Sequence, residues 1–137
     1  APELGWDDYA GVDVRGKLVI TLVNDPGFHD SDEALFRGRA MTYYGRWTYK
    51  YEEAERRGAA AVMIVHDDAG AGYGWEVVKN GAARPQFDLP RPADAPAGLA
   101  VQGWLSSDAA TRLFSAAGLD FARLKKAAGQ RGFRPVP

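Results

Sequence analysis

Two short runs of β-branched and apolar residues, 17–23 (KLVITLV) and 59–66 (AAAVMIVH), constrain this chain more than any other feature. The second is apolar throughout and the first is apolar on both faces in its latter half, the pattern of strands covered on both sides. The link between them has helical character over residues 48–57. Trp47, Tyr51 and Ala54 fall at i, i+4 and i+7 on one face, Thr48 is placed to cap the start, and Gly58 stands where a C′ glycine belongs. Strand, helix and strand in this order predict a βαβ unit with a right-handed crossover. Gly16 supplies a turn before the first strand, and Asn24-Asp25-Pro26-Gly27 ends it.

The remainder divides unevenly. Residues 28–47 form a long connection carrying Asp30, Asp32 and Glu33, then glycines, then an aromatic run. Connections beyond ~12–15 residues in a compact domain are usually functional loops or disorder, and aromatic content argues against disorder. Residues 67–94 read as loop-rich, with 75–78 either a short strand or a helical turn and 86–89 another short piece. Residues 99–104 (LAVQGW) read as a third strand. A helix then starts at Ser106-Ser107-Asp108, sets Ala110, Leu113, Phe114 and Ala117 on one face, and ends at Gly118. A last helix takes Asp120 as N-cap, with Leu119 and Leu124 at staple spacing, and ends by Gly129. The expected class is α/β.

At 137 residues the chain is the size of one domain. Its formal net charge of −1 argues against a nucleic-acid binder or a polybasic membrane-surface protein. Cysteine is absent, which removes disulfides, thiolate nucleophiles and cysteine-based zinc sites. No stretch approaches the ~20 apolar residues of a membrane-spanning helix, so membrane insertion is not expected. A first residue of Ala1 rather than methionine reads as a processed chain or one cut from something larger.

Candidate chemistry is sparse. Ser106 and Ser107 sit at a helix start, where hydroxyls satisfy orphan amides, and this outweighs a nucleophile reading. The run His29-Asp30-Ser31-Asp32-Glu33 lacks the spacing of a calcium loop and reads more simply as a solvated acidic loop. Gly70–Gly74 lacks the Lys-Ser/Thr ending of a phosphate loop. His66 closes a buried strand beside Asp67 and Asp68. A histidine bonded to backbone is the commoner outcome there, and a ligand contact is the alternative. The segment Tyr43-Tyr44-Gly45-Arg46-Trp47-Thr48-Tyr49-Lys50-Tyr51 differs, because five aromatics in nine residues exceed what one helix face can bury. Tyr43, Tyr44 and Arg46 are then either exposed contacts of hot-spot composition or rings packed under the long loop.

Several segments together resemble a known family. Asp7-Asp8-Tyr9, the Gly16-Lys17-Leu18-Val19 strand start, and the helix end running from Glu53 through Gly58-Ala59-Ala60-Ala61-Val62-Met63-Ile64-Val65 resemble the protease-associated (PA) domain. Three segments in order are more specific still: Gly5-Trp6-Asp7-Asp8-Tyr9, Val23-Asn24-Asp25-Pro26-Gly27, and the run from Met41 to Lys50 (MTYYGRWTYK). They resemble the PA insertion of bacterial zinc-dependent exopeptidases of aminopeptidase type. The resemblance covers essentially the whole chain, although the Cys-Phe segment of general PA domains is missing and the long aromatic loop stands in its place.

The resemblance implies a PA-like sheet or open barrel flanked by about three helices, inserted into or beside the catalytic domain of a periplasmic or secreted metallopeptidase. It implies no catalytic or metal-binding residue and no cofactor in this chain, since the family's zinc ligands and general base belong to the catalytic domain. It also implies a further upstream strand in family members, and hence an unpaired sheet edge. The leading expectation is a non-catalytic module that covers the active site and shapes peptide access. Its contacts are expected on the loop 24–47, with Asp25, Tyr43, Tyr44, Arg46 and Trp47 as the residues. The alternatives are an interaction or stability module docking on the catalytic domain, and a small stand-alone hydrolytic enzyme using His66 with Asp67 or Asp68.

Overall fold

The computed structural model describes residues 1–95 and 97–137. Its frame is a parallel sheet of β1 (Leu18–Leu22), β2 (Ala61–Val65) and β3 (Val101–Leu105), in the spatial order β1-β2-β3. The register sets Leu18 against Ala61 and Ala61 against Val101, so all three strands start level. Five helices complete the described fold: α1 (Trp47–Arg56), α2 (Asp68–Ala71), α3 (Trp75–Ala82), α4 (Ser107–Ala116) and α5 (Phe121–Ala128). The expected βαβ unit is present as β1-α1-β2, and the class is α/β. The sheet is open, and five helices accompany it where about three were expected. The surplus is α2 and α3, which occupy the stretch read as loop.

Strand alternation explains the layering. Val62 and Ile64 turn to one face and meet Tyr51 and Ala54 of α1, joined by Val23 and Ala59, with Val19 and Trp104 packed against them. Val65 turns to the other face, onto Ala110 of α4 and Phe121 of α5, with Ile20, Leu22 and Phe114 beside them. Both faces of β1 and β2 are therefore covered, which is why their sequences are apolar without a polar alternation. Full burial of a Val or Ile side chain is worth about 1.5–3 kcal/mol, and Val62, Ile64 and Val65 are the largest fully buried side chains. On β3, Gly103 stands in register with Met63, and a Cβ there would lie 2.9 Å from the Met63 sulfur.

Local capping sets the helix ends. After α1, Gly58 takes φ +78° while its N–H bonds the Glu55 carbonyl at 2.9 Å and the Ala59 N–H bonds the Ala54 carbonyl at 3.0 Å. That pair of bonds closes the helix before β2 begins. The Ser106 hydroxyl accepts from Ala109 N–H at 3.2 Å, and the Asp120 carboxylate accepts from Arg123 N–H at 3.0 Å, as the sequence predicts. The start of α1 differs from expectation. The helix opens at Trp47 with Arg46 in the cap position and no side-chain cap, so Thr48 is inside the first turn. Residues 86–89 adopt no regular element, and no helix among the described residues is long and apolar enough to cross a membrane.

Candidate functional site

In an open parallel sheet the carboxyl ends of the strands are where loops gather to build sites. β1 runs out into Asn24, which is buried at φ +70° and donates from Nδ2 to the Gly70 carbonyl at 2.6 Å. Its Oδ1 accepts from Asp25 N–H at 2.7 Å. The Asp25 carboxylate then accepts from the backbone N–H of Thr42 at 2.6 Å and from its hydroxyl at 3.0 Å. Burial pushes the Asp25 carboxyl up, against the two Thr42 bonds. Burial also pushes the Lys50 ammonium down, against the pull of Asp8 and Asp25. Asp25, expected among the exposed contacts, is thus an internal clasp that closes the base of the long loop.

Above the clasp the loop's rings form a chain of edge-to-face contacts. Trp6 meets Phe36 at 5.6 Å and 81°, Phe36 meets Tyr44 at 6.2 Å and 77°, and Tyr44 meets Tyr49 at 4.8 Å and 89°. Tyr43 meets Tyr49 from the other side at 5.6 Å and 68°. Aromatic pairs in this arrangement contribute about 0.5–1.5 kcal/mol each beyond burial. The Tyr44 hydroxyl donates to Glu3 at 2.7 Å, which pushes the phenol up to about 12 and holds the Glu3 carboxyl below its ordinary range. The Tyr43 hydroxyl donates to both Glu52 oxygens at 2.8 Å. Phe36 and Arg37 sit at φ +53° and +66°, a conformation that costs an L-residue roughly 1–2 kcal/mol, so the packing of the Phe36 ring holds this backbone in place. These residues line an open groove of about 520 Å³ between Glu3, Phe36, Met41, Tyr43 and Tyr44.

Tyr43 and Tyr44 pack on Tyr49 at this groove, whereas Trp47, at the start of α1, packs on Tyr51. Tyr43 is 53 % exposed and Trp47 48 % exposed, and Arg46 is exposed between them. Trp47 touches Tyr51 edge-on at 6.0 Å instead of entering the core with it. Tyr44 is half-buried as the middle of the ring chain. Tyr49 belongs to the aromatic run already singled out, whereas Phe36 and Glu3 carry no local sequence signal, because each joins the assembly through a partner farther along the chain.

A second cluster lies at the carboxyl end of β2. His66 is 2 % exposed, with Nδ1 3.2 Å from Asp68 Oδ1 and with Nε2 lacking any hydrogen-bond partner. The rings of Tyr73, Trp75 and Trp104 surround it at 5.5, 5.6 and 5.9 Å. The imidazole therefore pairs with a carboxylate, where a backbone bond was expected. The backbone carbonyl of His66 accepts from the Ser107 hydroxyl at 2.6 Å, so that serine serves a strand end and not an orphan amide. Asp67 caps α2 through Gly70 N–H at 2.9 Å and pairs with Lys125 of α5, while His29 Nε2 lies 3.5 Å away. Burial raises the Asp67 carboxyl, and the Lys125 and Gly70 bonds outweigh it to leave it below the ordinary range. In the acidic run, Asp32 accepts from Ala34 N–H and its neighbours are exposed to water. Among the described residues no three His, Cys, Asp or Glu side chains are placed to hold a metal ion together.

Comparison of the chain with protein-family models, with curated proteins and with solved structures finds no match.

Proposed function

We propose that this chain is a non-catalytic accessory module of protease-associated type, part of a longer exported zinc-dependent exopeptidase of aminopeptidase class. In this reading its aromatic side borders the catalytic domain's cleft and shapes how peptides enter. The observation that carries the reading is the ring chain from Trp6 to Tyr43, which gives the exposed Tyr43 a rigid backing, with exposed Arg46 and Trp47 following it in the chain. Tyrosine, tryptophan and arginine supply large contact area, and a preformed rim loses little entropy when a peptide or a neighbouring surface is bound. The placement of the segments that resemble the family also supports it. Gly16 N–H bonds the Gly58 carbonyl at 2.9 Å and Ala60 N–H bonds the Lys17 carbonyl at 2.9 Å, so the Gly-Lys strand start and the Gly-Ala-Ala-Ala run lie side by side. Zinc in this reading belongs to the catalytic domain, and no catalytic step is assigned to the present residues.

The test uses the parent enzyme with Tyr43→Ala, Arg46→Ala and Trp47→Ala. Peptide KM should rise by about tenfold in at least one, equivalent to ~1.4 kcal/mol of lost contact, with kcat nearly unchanged. Unaltered kcat/KM in all three would end the reading. Exposed Leu4 and Met41 near Tyr43 favour a second reading, in which the same side only docks on its neighbour. There the substitutions lower the unfolding midpoint of the whole enzyme and leave KM alone. The buried His66 imidazole, enclosed by three rings, speaks against a hydrolytic role for it.

A further inference from the structure

We propose that residues 73–95 form a strap that lifts from the sheet as one unit, turning about Gly72, and that its release uncovers the imidazole of His66. The strap comprises α3 and the irregular stretch behind it, and it contributes no residue to either core cluster. No α3 residue is buried, and every residue from Lys79 to Asp94 is exposed. Its backbone bonds stay within it or at its hinge: Val77 N–H to the Gly74 carbonyl, Ala83 to Lys79, Arg84 to Gly81 and Ala95 to Pro92. Among the described residues its one hydrogen-bonded tie to the rest of the chain is Arg91 with Glu55 of α1. Its other hold is aromatic, the rings of Tyr73 and Trp75 lying 5.5 and 5.6 Å from that of His66.

Segments with few buried apolar groups and solvent-exposed backbone bonds open at far smaller free energy than a core. Gly72 supplies the turning point: it is exposed at φ +81°, with nothing within 4 Å of where a Cβ would stand. The chain before it is fixed, because Gly70 is buried and its carbonyl accepts from Asn24 Nδ2 at 2.6 Å. Beyond the strap, Leu99 packs against the core. What the strap covers is the carboxyl end of β2, the kind of place where open parallel sheets gather ligand contacts. With the strap down, His66 Nε2 is buried without a hydrogen-bond partner, a standing cost that opening removes by admitting water. Asp68 lies before Gly72, so it keeps its place 3.2 Å from Nδ1 when the strap lifts. The open state therefore presents an imidazole with one nitrogen held and the other offered. The inference does not depend on the peptidase reading.

The chain has two histidines, so acylation by diethyl pyrocarbonate, followed at each histidine by mass spectrometry, carries its own reference. His29, its side chain 51 % exposed, should react freely. His66 should react at least about tenfold more slowly, because only the lifted state is reactive. Trp75→Ala should raise the His66 rate about tenfold, the worth of a lost aromatic contact, and leave His29 alone. Glu55→Ala removes the distant tie without touching the rings, and should raise the His66 rate about two- to fivefold, the size of an exposed ion pair. Amide hydrogen exchange on the unsubstituted chain covers the case of a variant that does not fold: α3 amides should exchange at least about a hundredfold faster than those of β2. Equal rates at the two histidines would overturn the proposal, and so would a His66 that stays inert in both variants. An unchanged rate in Glu55→Ala would show that the strap does not lift as a unit. Amides of α3 as protected as those of β2 would show that it does not lift at all.

Discussion

The carboxylate of Asp25 at the exit of β1 accepts two hydrogen bonds from Thr42, from its backbone N–H at 2.6 Å and its hydroxyl at 3.0 Å, across 17 residues of chain. The loop between them carries Phe36 and the groove wall, so this one side chain decides whether the aromatic side is preformed. Asp25→Ala leaves both Thr42 donors without their partner, a loss of about 1–3 kcal/mol for a donor left unpaired. Thermal unfolding should show the midpoint lowered by roughly 3–4 °C per kcal/mol for a chain of this length. An unchanged midpoint would mean that the clasp does not hold the loop.

Gly45 makes a sharper test of the same clasp. A Cβ at this position would lie 2.9 Å from the Asp25 carboxyl carbon and 3.0 Å from its backbone nitrogen. The backbone atom cannot move aside as a flexible side-chain end could, so Gly45→Ala should destabilise by about 1–3 kcal/mol through overpacking. Removing the carboxylate first should relieve part of this. In a double-mutant cycle Gly45→Ala should therefore cost less in an Asp25→Ala background, and strict additivity would show that the crowding does not involve Asp25.

Acid stability should depend on Lys125. The Asp67 carboxyl is held below its ordinary value of 3.8, with Lys125 the strongest lowering influence against the opposing effect of burial. A depressed carboxylate contributes stability that is fully present above its unfolded pKa and is lost as pH falls through the lower folded value. Lys125→Met raises the folded value, so the variant should be less stable than the parent at pH 7, and the gap should narrow as pH drops below about 4. Denaturant midpoints at pH 7, 4 and 3 check this. A gap independent of pH would show that Lys125 acts through packing alone.

What could be read from the sequence divides along physical lines. Ser106, Asp120 and Gly58 were legible because a cap bonds to groups within three or four residues of itself. The pairing of β1 with β2 was legible because burial on both faces leaves unbroken apolar runs. Asp25 was misread as a surface contact, since a turn-forming aspartate looks the same whether or not a threonine far along the chain buries it. Trp47 lies on the helical face of Tyr51 and Ala54 yet is expected as a contact, and because α1 opens at that residue its indole stays exposed. Helix α3 stays undecided between strand and helical turn in the sequence, because its apolar residues Trp75, Val77 and Val78 are few and clustered at its start and none of its residues is buried.

His66 offers the last test, because its surroundings make opposite predictions for two substitutions. With its Nδ1 toward Asp68, the imidazole leaves Nε2 a buried polar atom without a partner. An unsatisfied buried polar atom costs about 1–3 kcal/mol, while the enclosing rings of Tyr73, Trp75 and Trp104 favour another aromatic of similar size. His66→Phe removes the unpaired atom and releases Asp68, which is already exposed, to water. Its unfolding free energy should stay within about 1 kcal/mol of the parent, as volume-conserving core changes usually do. His66→Ala keeps no ring and opens a cavity, at a cost of about 2–5 kcal/mol by comparison with other large-to-small core changes. If His66→Phe proved as damaging as His66→Ala, Nε2 must have a partner whose loss matters, and an enclosed water would be the first candidate. Were the proposed parent exopeptidase to lose peptide turnover in His66→Phe while the fold held, a purely structural role for the histidine would be untenable.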